Sequence, residues 1–273
     1  MSQEVYAAPW KKIAEGWQKL GIGNHPSPHD VDVYRRFLMD AVRGEDRPNV
    51  LLLGATPEIR DMLAEYPEIE VTVLDVNGEA IRAMTSFMKE KPVNEKQAVG
   101  DWLFFPLPEY TYDAVFGDQI STNVSFENLD TLYRRIRAAL KPSGYLITRI
   151  TSHFPDTRIY APEELIEKFS RIPPSKESFT EFWNLLTFFS HRNPVSTTDS
   201  TFELLEAHLD VSHMKEYYAM TAEIFSRGKP WNIGRPWADE KRIIERYFAI
   251  ADKEQDDTFF KDSTFIFCLK VKQ

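Results

Sequence analysis

The chain has 273 residues, 42% hydrophobic, 27% charged and 13% aromatic, which allows one large domain or a domain carrying an insertion. A formal net charge of −9 argues against a phosphate-backbone partner, because the only dense basic run, Arg134-Arg135-Ile136-Arg137, reads as a solvated helix face. The single Cys268 excludes an internal disulfide and a cysteine-based metal site; with no long apolar run and no basic–apolar leader, a soluble cytoplasmic protein with no membrane or nucleic-acid partner is expected.

Residues 1–47 read as helical. Trp10, Ile13, Trp17 and Leu20 recur at helical spacing, the stretch 21–28 is loop chemistry, and Ser27-Pro28-His29-Asp30 starts a second helix with Val31, Tyr34, Leu38 and Ala41 on its apolar face. Next comes an apolar run of strand type, Val50-Leu51-Leu52-Leu53, that ends at Gly54 and passes straight into Thr56-Pro57-Glu58. Thr56 can cap a helix, Pro57 suits its first position, and Glu58 puts negative charge at the positive end of the dipole. A second strand, 71–74, then ends in Asp75. Strand, glycine turn, helix and a strand ending in a carboxylate is how an α/β sheet holds an adenosine ribose, the carboxylate accepting from the ribose hydroxyls. Capping of the helix that follows Asn77 is the other role open to Asp75.

Strands at 50–53, 71–74, 97–99, 112–116 and 145–149 alternate with helices at 57–65, 78–90 and 126–140. Such alternation calls for parallel pairing with right-handed crossovers, and a ligand then lies beyond the carboxyl ends of the strands. From 151 to 236 no strand signal appears. Helices are expected at 162–169, from Ser178 and from Ser200 (each opening a capping box), and at 213–226. After Pro236, a helix at 238–246 leads to strands near 247–253 and 264–271, which close the sheet as an antiparallel pair. The expected architecture is a doubly wound, mainly parallel seven-stranded Rossmann-like sheet (48–150 and 237–273), with an antiparallel closing strand, an N-terminal helical cap (1–47) and a helical insertion after the fifth strand (151–236).

Five stretches in this order resemble a class I S-adenosylmethionine-dependent methyltransferase: Leu51-Leu52-Leu53-Gly54-Ala55, Leu74-Asp75, Val99-Gly100-Asp101-Trp102, Tyr112 to Asp118, and Leu140 to Leu146. The resemblance covers about half of the chain and departs from the family pattern where Thr56 and Glu58 replace the later glycines. It implies S-adenosyl-L-methionine as cofactor. Gly54, Ala55 and Thr56 would face its methionine part, Asp75 its ribose, and Val76 would flank the adenine. Gly100 and Asp101 would lie at the adenine amino group with Trp102 beside the ring, while Gly117 and Asp118 would line the floor near the sulfonium. For Asp101 a plain turn role, and for Trp102 a core role, stay open.

Methyl transfer from a sulfonium is a direct displacement, so a catalytic base is optional. His153, just after the fifth strand, is the best-placed candidate among the histidines; His25, His29, His191 and His213 lie in the flanking helical parts. Asp118-Gln119-Ile120-Ser121 lacks the Asn-Pro-Pro-aromatic sequence of amide and nucleobase N-methyltransferases. His25 and His29 have no third partner for a metal, and no Gly-x-Ser-x-Gly elbow suggests a hydrolase. The aromatics of 151–236 suit a lid over a small, partly aromatic or apolar acceptor. The expectation is O- or N-directed methyl transfer to a small molecule; a nicotinamide-dependent oxidoreductase and a non-catalytic cofactor-binding protein are the alternatives.

Overall fold

A computed structural model describes residues 10–273 of the chain. Helix α1 (Trp10–Glu15) and a short 3-10 turn (Trp17–Lys19) precede α2 (Pro28–Ala41). The expected single helix through Leu20 is thus broken at Gly16, and the Trp10 side chain lies outside what is described. Ser27 caps α2 as read from sequence: its hydroxyl accepts from Asp30 N at 3.1 Å and its N–H donates to Asp30 Oδ2 at 2.9 Å.

The α/β body follows as β1 (Asn49–Leu53), α3 (Pro57–Ala64), β2 (Glu70–Asp75), α4 (Gly78–Thr85), β3 (Glu95–Val99), β4 (Tyr112–Asp118), α5 (Phe126–Ala139) and β5 (Leu140–Thr151). Next are α6 (Pro162–Ser170), α7 (Lys176–Phe188), β6 (Ser196–Thr197), α8 (Thr198–Glu206), α9 (Met214–Ile224) and β7 (Pro230–Trp231). Helix α10 (Trp237–Ile244) leads to β8 (Phe248–Gln255) and β9 (Thr264–Val271). Seven strands form one sheet in the order β3-β2-β1-β4-β5-β9-β8, with β9 antiparallel to both neighbours and every other pairing parallel.

Strand parity sorts the core. Val50 and Leu52 of β1 pack with Val33, Phe37, Ile59 and Met62 from α2 and α3, whereas Leu51 and Leu53 pack with Leu132 and Ile136 of α5 on the opposite face. The first cluster continues without a break into the insertion through Phe169, Phe182, Trp183 and Tyr217. The insertion therefore shares its core with one face of the sheet and with Trp17 and Leu20.

Several boundaries differ from expectation for local reasons. Helix α4 stops at Thr85, not 90. Helix α7 starts at Lys176 because Ser175, not Ser178, is the cap, with Ser178 closing the box from inside. Helix α8 is entered from Thr197, ahead of the expected Ser200. The insertion also holds a strand pair, β6 with β7, too short to leave a period-two pattern. Its two ends meet where His153 bridges Pro236, with Trp237 N–H donating to His153 O at 3.0 Å.

Candidate functional site

The chain leaves β1 through Gly54 at φ +91°, a left-handed turn that glycine enters without penalty. A Cβ at Gly54 would find only Trp102 Cζ2, at 3.8 Å, so the space before the turn is open. Pro57 occupies the first turn of α3 as expected, but the Thr56 side chain makes no capping bond. Glu58 is a first-turn acid of α3 as expected, half-buried, and burial pushes its carboxyl up to about 7. It faces His25 Nδ1 at 3.3 Å, and burial lowers that imidazole.

Asp75 closes β2 in the parallel register that sets Leu53 beside Leu74. Its Oδ1 accepts from Asn77 N–H at 2.8 Å, and burial pushes the carboxyl up to about 6 against the pull of the Asn77 and Val76 amides. Asn77 itself caps α4, accepting from Glu79 N and Ala80 N at 2.9 and 3.1 Å. The capping alternative for Asp75 is thereby taken by its neighbour.

After β3, Asp101 Oδ1 accepts from Leu103 N–H at 2.8 Å in a tight turn, and the Trp102 indole donates to Leu74 O at 2.9 Å. Gly54, Ala55, Thr56, Asp75, Val76, Asp101, Trp102 and Asp118 all line one cavity, with an empty volume of about 1250 Å³, its open mouth included. Gly100 and Gly117 do not line it. A Cβ on Gly100 would stand 2.3 Å from Phe105 Cδ2, and one on Gly117 2.5 Å from Ile120 Cγ2, so both serve close packing of the loops behind the wall.

Asp118 is held by Arg149, which reaches its two oxygens through Nε at 2.8 Å and Nη2 at 3.0 Å. Arg149 Nη1 lies 3.0 Å from Asp30 Oδ2 and 3.5 Å from Asp256 Oδ2, and the Tyr34 hydroxyl donates to Asp118 Oδ1 at 3.1 Å. Burial pushes the Asp30 carboxyl up while Arg149 draws it down. This buried network ties α2 and the β8–β9 connection to the floor beneath the cavity.

His153, the candidate base, is absent from the cavity wall. Its Nε2 is 3.1 Å from Phe188 O, its ring tilts against Phe189, and burial lowers the imidazole. Its position at the strand end is right, but its side chain serves the neck of the insertion.

The far end of the cavity was not legible residue by residue. Gln119 (φ 54°), Thr122 and Asn123 follow β4, and Trp17, Leu20 and Asn24 come from the N-terminal segment. Trp183, Asn184, Phe188, Phe225 and Trp231 come from the insertion, with Phe260 from the β8–β9 connection. The N-terminal helical cap and the aromatic surplus of the insertion signal this wall in the sequence without fixing which side chains reach it. Among the described residues no three His, Cys, Asp or Glu side chains gather as a metal site, and no helix is long and apolar enough to cross a membrane.

No family profile matches the sequence, and no curated protein matches it. Among solved structures, the chain is similar to a protein from Rhodobacter sphaeroides described as a Zn-dependent alcohol dehydrogenase, with TM-score 0.60, 14% identity and coverage of 98% of this chain and 99% of that one. It is also similar to a protein from Pyrococcus horikoshii (TM-score 0.54, 16% identity, 89% and 90% covered). A third similar structure is a SAM-dependent methyltransferase from Methanosarcina mazei (TM-score 0.50, 12% identity, 90% and 98% covered). At these identities the likeness is one of fold. The seven-stranded sheet with its antiparallel β9, and the glycine turn and strand-end carboxylate on one cavity, agree with it: the chain has the class I S-adenosylmethionine-dependent methyltransferase fold.

Proposed function

We propose that this protein transfers a methyl group from S-adenosylmethionine to oxygen or nitrogen of a small-molecule acceptor. The observation that carries the reading is the convergence of the open left-handed turn at Gly54 and the half-buried carboxylate of Asp75 on one cavity. A Cβ at Gly54 would intrude on that cradle, and Asp75 retains Oδ2 for a ribose hydroxyl after Oδ1 accepts from Asn77. When bound, the cofactor supplies an electrophilic methyl carbon on a positively charged sulfur. Asp75 then holds the ribose, Val76 and Trp102 flank the base, and the Gly54 turn admits the methionine end.

The chain's own contribution to the displacement is alignment and exclusion of water. Residues 13–24 and the insertion 151–236 roof the cavity, and the insertion selects the acceptor. His153 is not used as a base in this reading: the proton of the attacking group passes to water at the open mouth of the cavity. A nicotinamide-dependent oxidoreductase is disfavoured by topology, because the dinucleotide fold continues with parallel strands whereas β9 enters antiparallel between β5 and β8. Gly54-Ala55-Thr56-Pro57-Glu58 also lacks the later glycines that let a pyrophosphate approach. A cytoplasmic setting is in keeping with the single, buried, unpaired Cys268.

Incubation with S-adenosylmethionine and a panel of phenols, carboxylic acids and amines, with S-adenosylhomocysteine as readout, tests the proposal. Acceptor-dependent product is expected. Tight binding without product across the panel would support the non-catalytic alternative.

A further inference from the structure

We infer that the acceptor is an uncharged, planar aromatic molecule carrying a hydrogen-bond-accepting oxygen, bound at the insertion end of the cavity. This rests on the methyl-transfer reading and names the acceptor class for it. The walls there are rings in two orientations. Trp183 and Phe225 stack at 4.1 Å and 10°, while Trp231 stands edge-on to Phe188 at 5.4 Å and 79° and to Phe225 at 6.1 Å and 77°. Perpendicular ring walls accept a flat ring face-on to one and edge-on to the other, the arrangements aromatic quadrupoles favour.

Charge is disfavoured from both signs. The one carboxylate at this end, Asp118, is already forked by Arg149, so an ammonium would find no uncommitted anion. Lys229 Nζ stands 4.9 Å from the Trp231 ring centroid and 3.1 Å from Asn123 Oδ1, placing a basic group beside the ring a cation would seek. Lys229 is not on the cavity wall, so it offers no direct partner to a carboxylate, which would be desolvated unpaired.

One polar requirement remains. Asn24 lines the cavity, and its Nδ2 is buried with no hydrogen-bond partner. Buried donors are satisfied in nearly all native structures, and an orphan on a cavity wall marks where a ligand acceptor atom belongs. Asn184, also on the wall, has its Nδ2 fixed on Thr180 O at 2.8 Å, which leaves its carbonyl oxygen for a ligand hydroxyl. A phenol hydroxyl can accept from the Asn24 amide or donate to the Asn184 carbonyl.

The test is calorimetric titration of the full chain at pH 7, with S-adenosylhomocysteine present, using 4-ethylphenol, 4-ethylbenzoate, 4-ethylbenzylammonium and 4-ethylcyclohexanol. The phenol should bind about tenfold or more tighter than each of the others. Trp231→Leu and Asn24→Ala should each weaken the phenol by about tenfold while leaving S-adenosylhomocysteine affinity unchanged. Equal or tighter binding of a charged or saturated probe overturns the inference, as does unchanged phenol affinity in folded Asn24→Ala. If the wild-type chain does not bind S-adenosylhomocysteine, the methyl-transfer reading fails instead. The same titration without it then shows whether the aromatic end selects phenols on its own.

Discussion

Gly54 and Trp102 converge on one atom: the backbone N–H of Gly54 and the indole N–H of Trp102 both donate to Leu74 O, each at 2.9 Å. The turn after β1 and the loop after β3 are thus fixed to the end of β2, one residue before Asp75. Trp102→Phe removes one of these bonds and keeps an aromatic ring. It should weaken S-adenosylmethionine binding by about threefold to tenfold, as loss of a single hydrogen bond of about 0.5–1.5 kcal/mol would. Calorimetry checks this, and unchanged affinity would take Trp102 out of the site.

Gly54→Ala separates backbone from bulk. The added Cβ meets only Trp102 at 3.8 Å, so the cost is the left-handed backbone at φ +91°, about 1–2 kcal/mol. The melting temperature should fall by a few degrees, as a loss of that size does in a domain of this length. Cofactor affinity should fall by more than the fall in stability explains, because the methyl group projects into the cradle.

Asp75 should show opposite effects on stability and binding. Its folded carboxyl lies near 6 against an ordinary value of 3.8, so the folded state without ligand holds its proton more tightly than the unfolded chain does. The stability this gives is complete below about pH 4 and lost as pH rises through 6. Asp75→Asn should therefore be more stable than wild type at pH 7.5 and nearly equal to it at pH 4 by urea denaturation. The same change should weaken cofactor binding at pH 7.5. A variant that loses stability at pH 7.5 would mean that the carboxylate is structural.

His153→Gln should keep the rate of S-adenosylhomocysteine formation within about threefold. Removing a general base typically costs about 10²–10⁴-fold, and His153 does not line the cavity, its Nε2 standing 3.1 Å from Phe188 O. A rate loss of a hundredfold with unchanged melting temperature would restore its catalytic role.

Arg149 is fully buried. Arg149→Met leaves Asp118, Asp30 and Asp256 without their shared cation, and breaking such a buried group from one side costs about 3–5 kcal/mol. Urea unfolding should shift to markedly lower denaturant.

The sheet was legible because its signals are local: the apolar run 50–53, the acid ending β2, and the helices between them each follow from neighbouring residues. The cavity wall contributed by strand ends was legible for the same reason, down to Gly54, Asp75 and Trp102. What escaped depends on segments far apart in sequence. Arg149 draws on Asp30, Asp118 and Asp256 from three other segments, and no spacing rule joins them. Glu58 carries the pattern of a helix-start acid, which says nothing of the His25 loop that packs against it. His153 occupies the strand end where a base would sit, but a strand end fixes the backbone and not the side chain, which turns to Phe188. Trp231 and Phe260 reach the cavity from short or irregular segments, where periodicity carries no direction.

The most direct measurement of the central claim is titration of the wild-type chain with S-adenosylmethionine and, separately, NADH at pH 7.5, repeated with Asp75→Asn. The account predicts saturable, one-to-one binding of S-adenosylmethionine that the Asp75→Asn change weakens about tenfold or more, in line with loss of hydrogen bonds to a charged group, and no binding of NADH. Binding of NADH in preference to S-adenosylmethionine, or S-adenosylmethionine binding indifferent to Asp75→Asn, would contradict it.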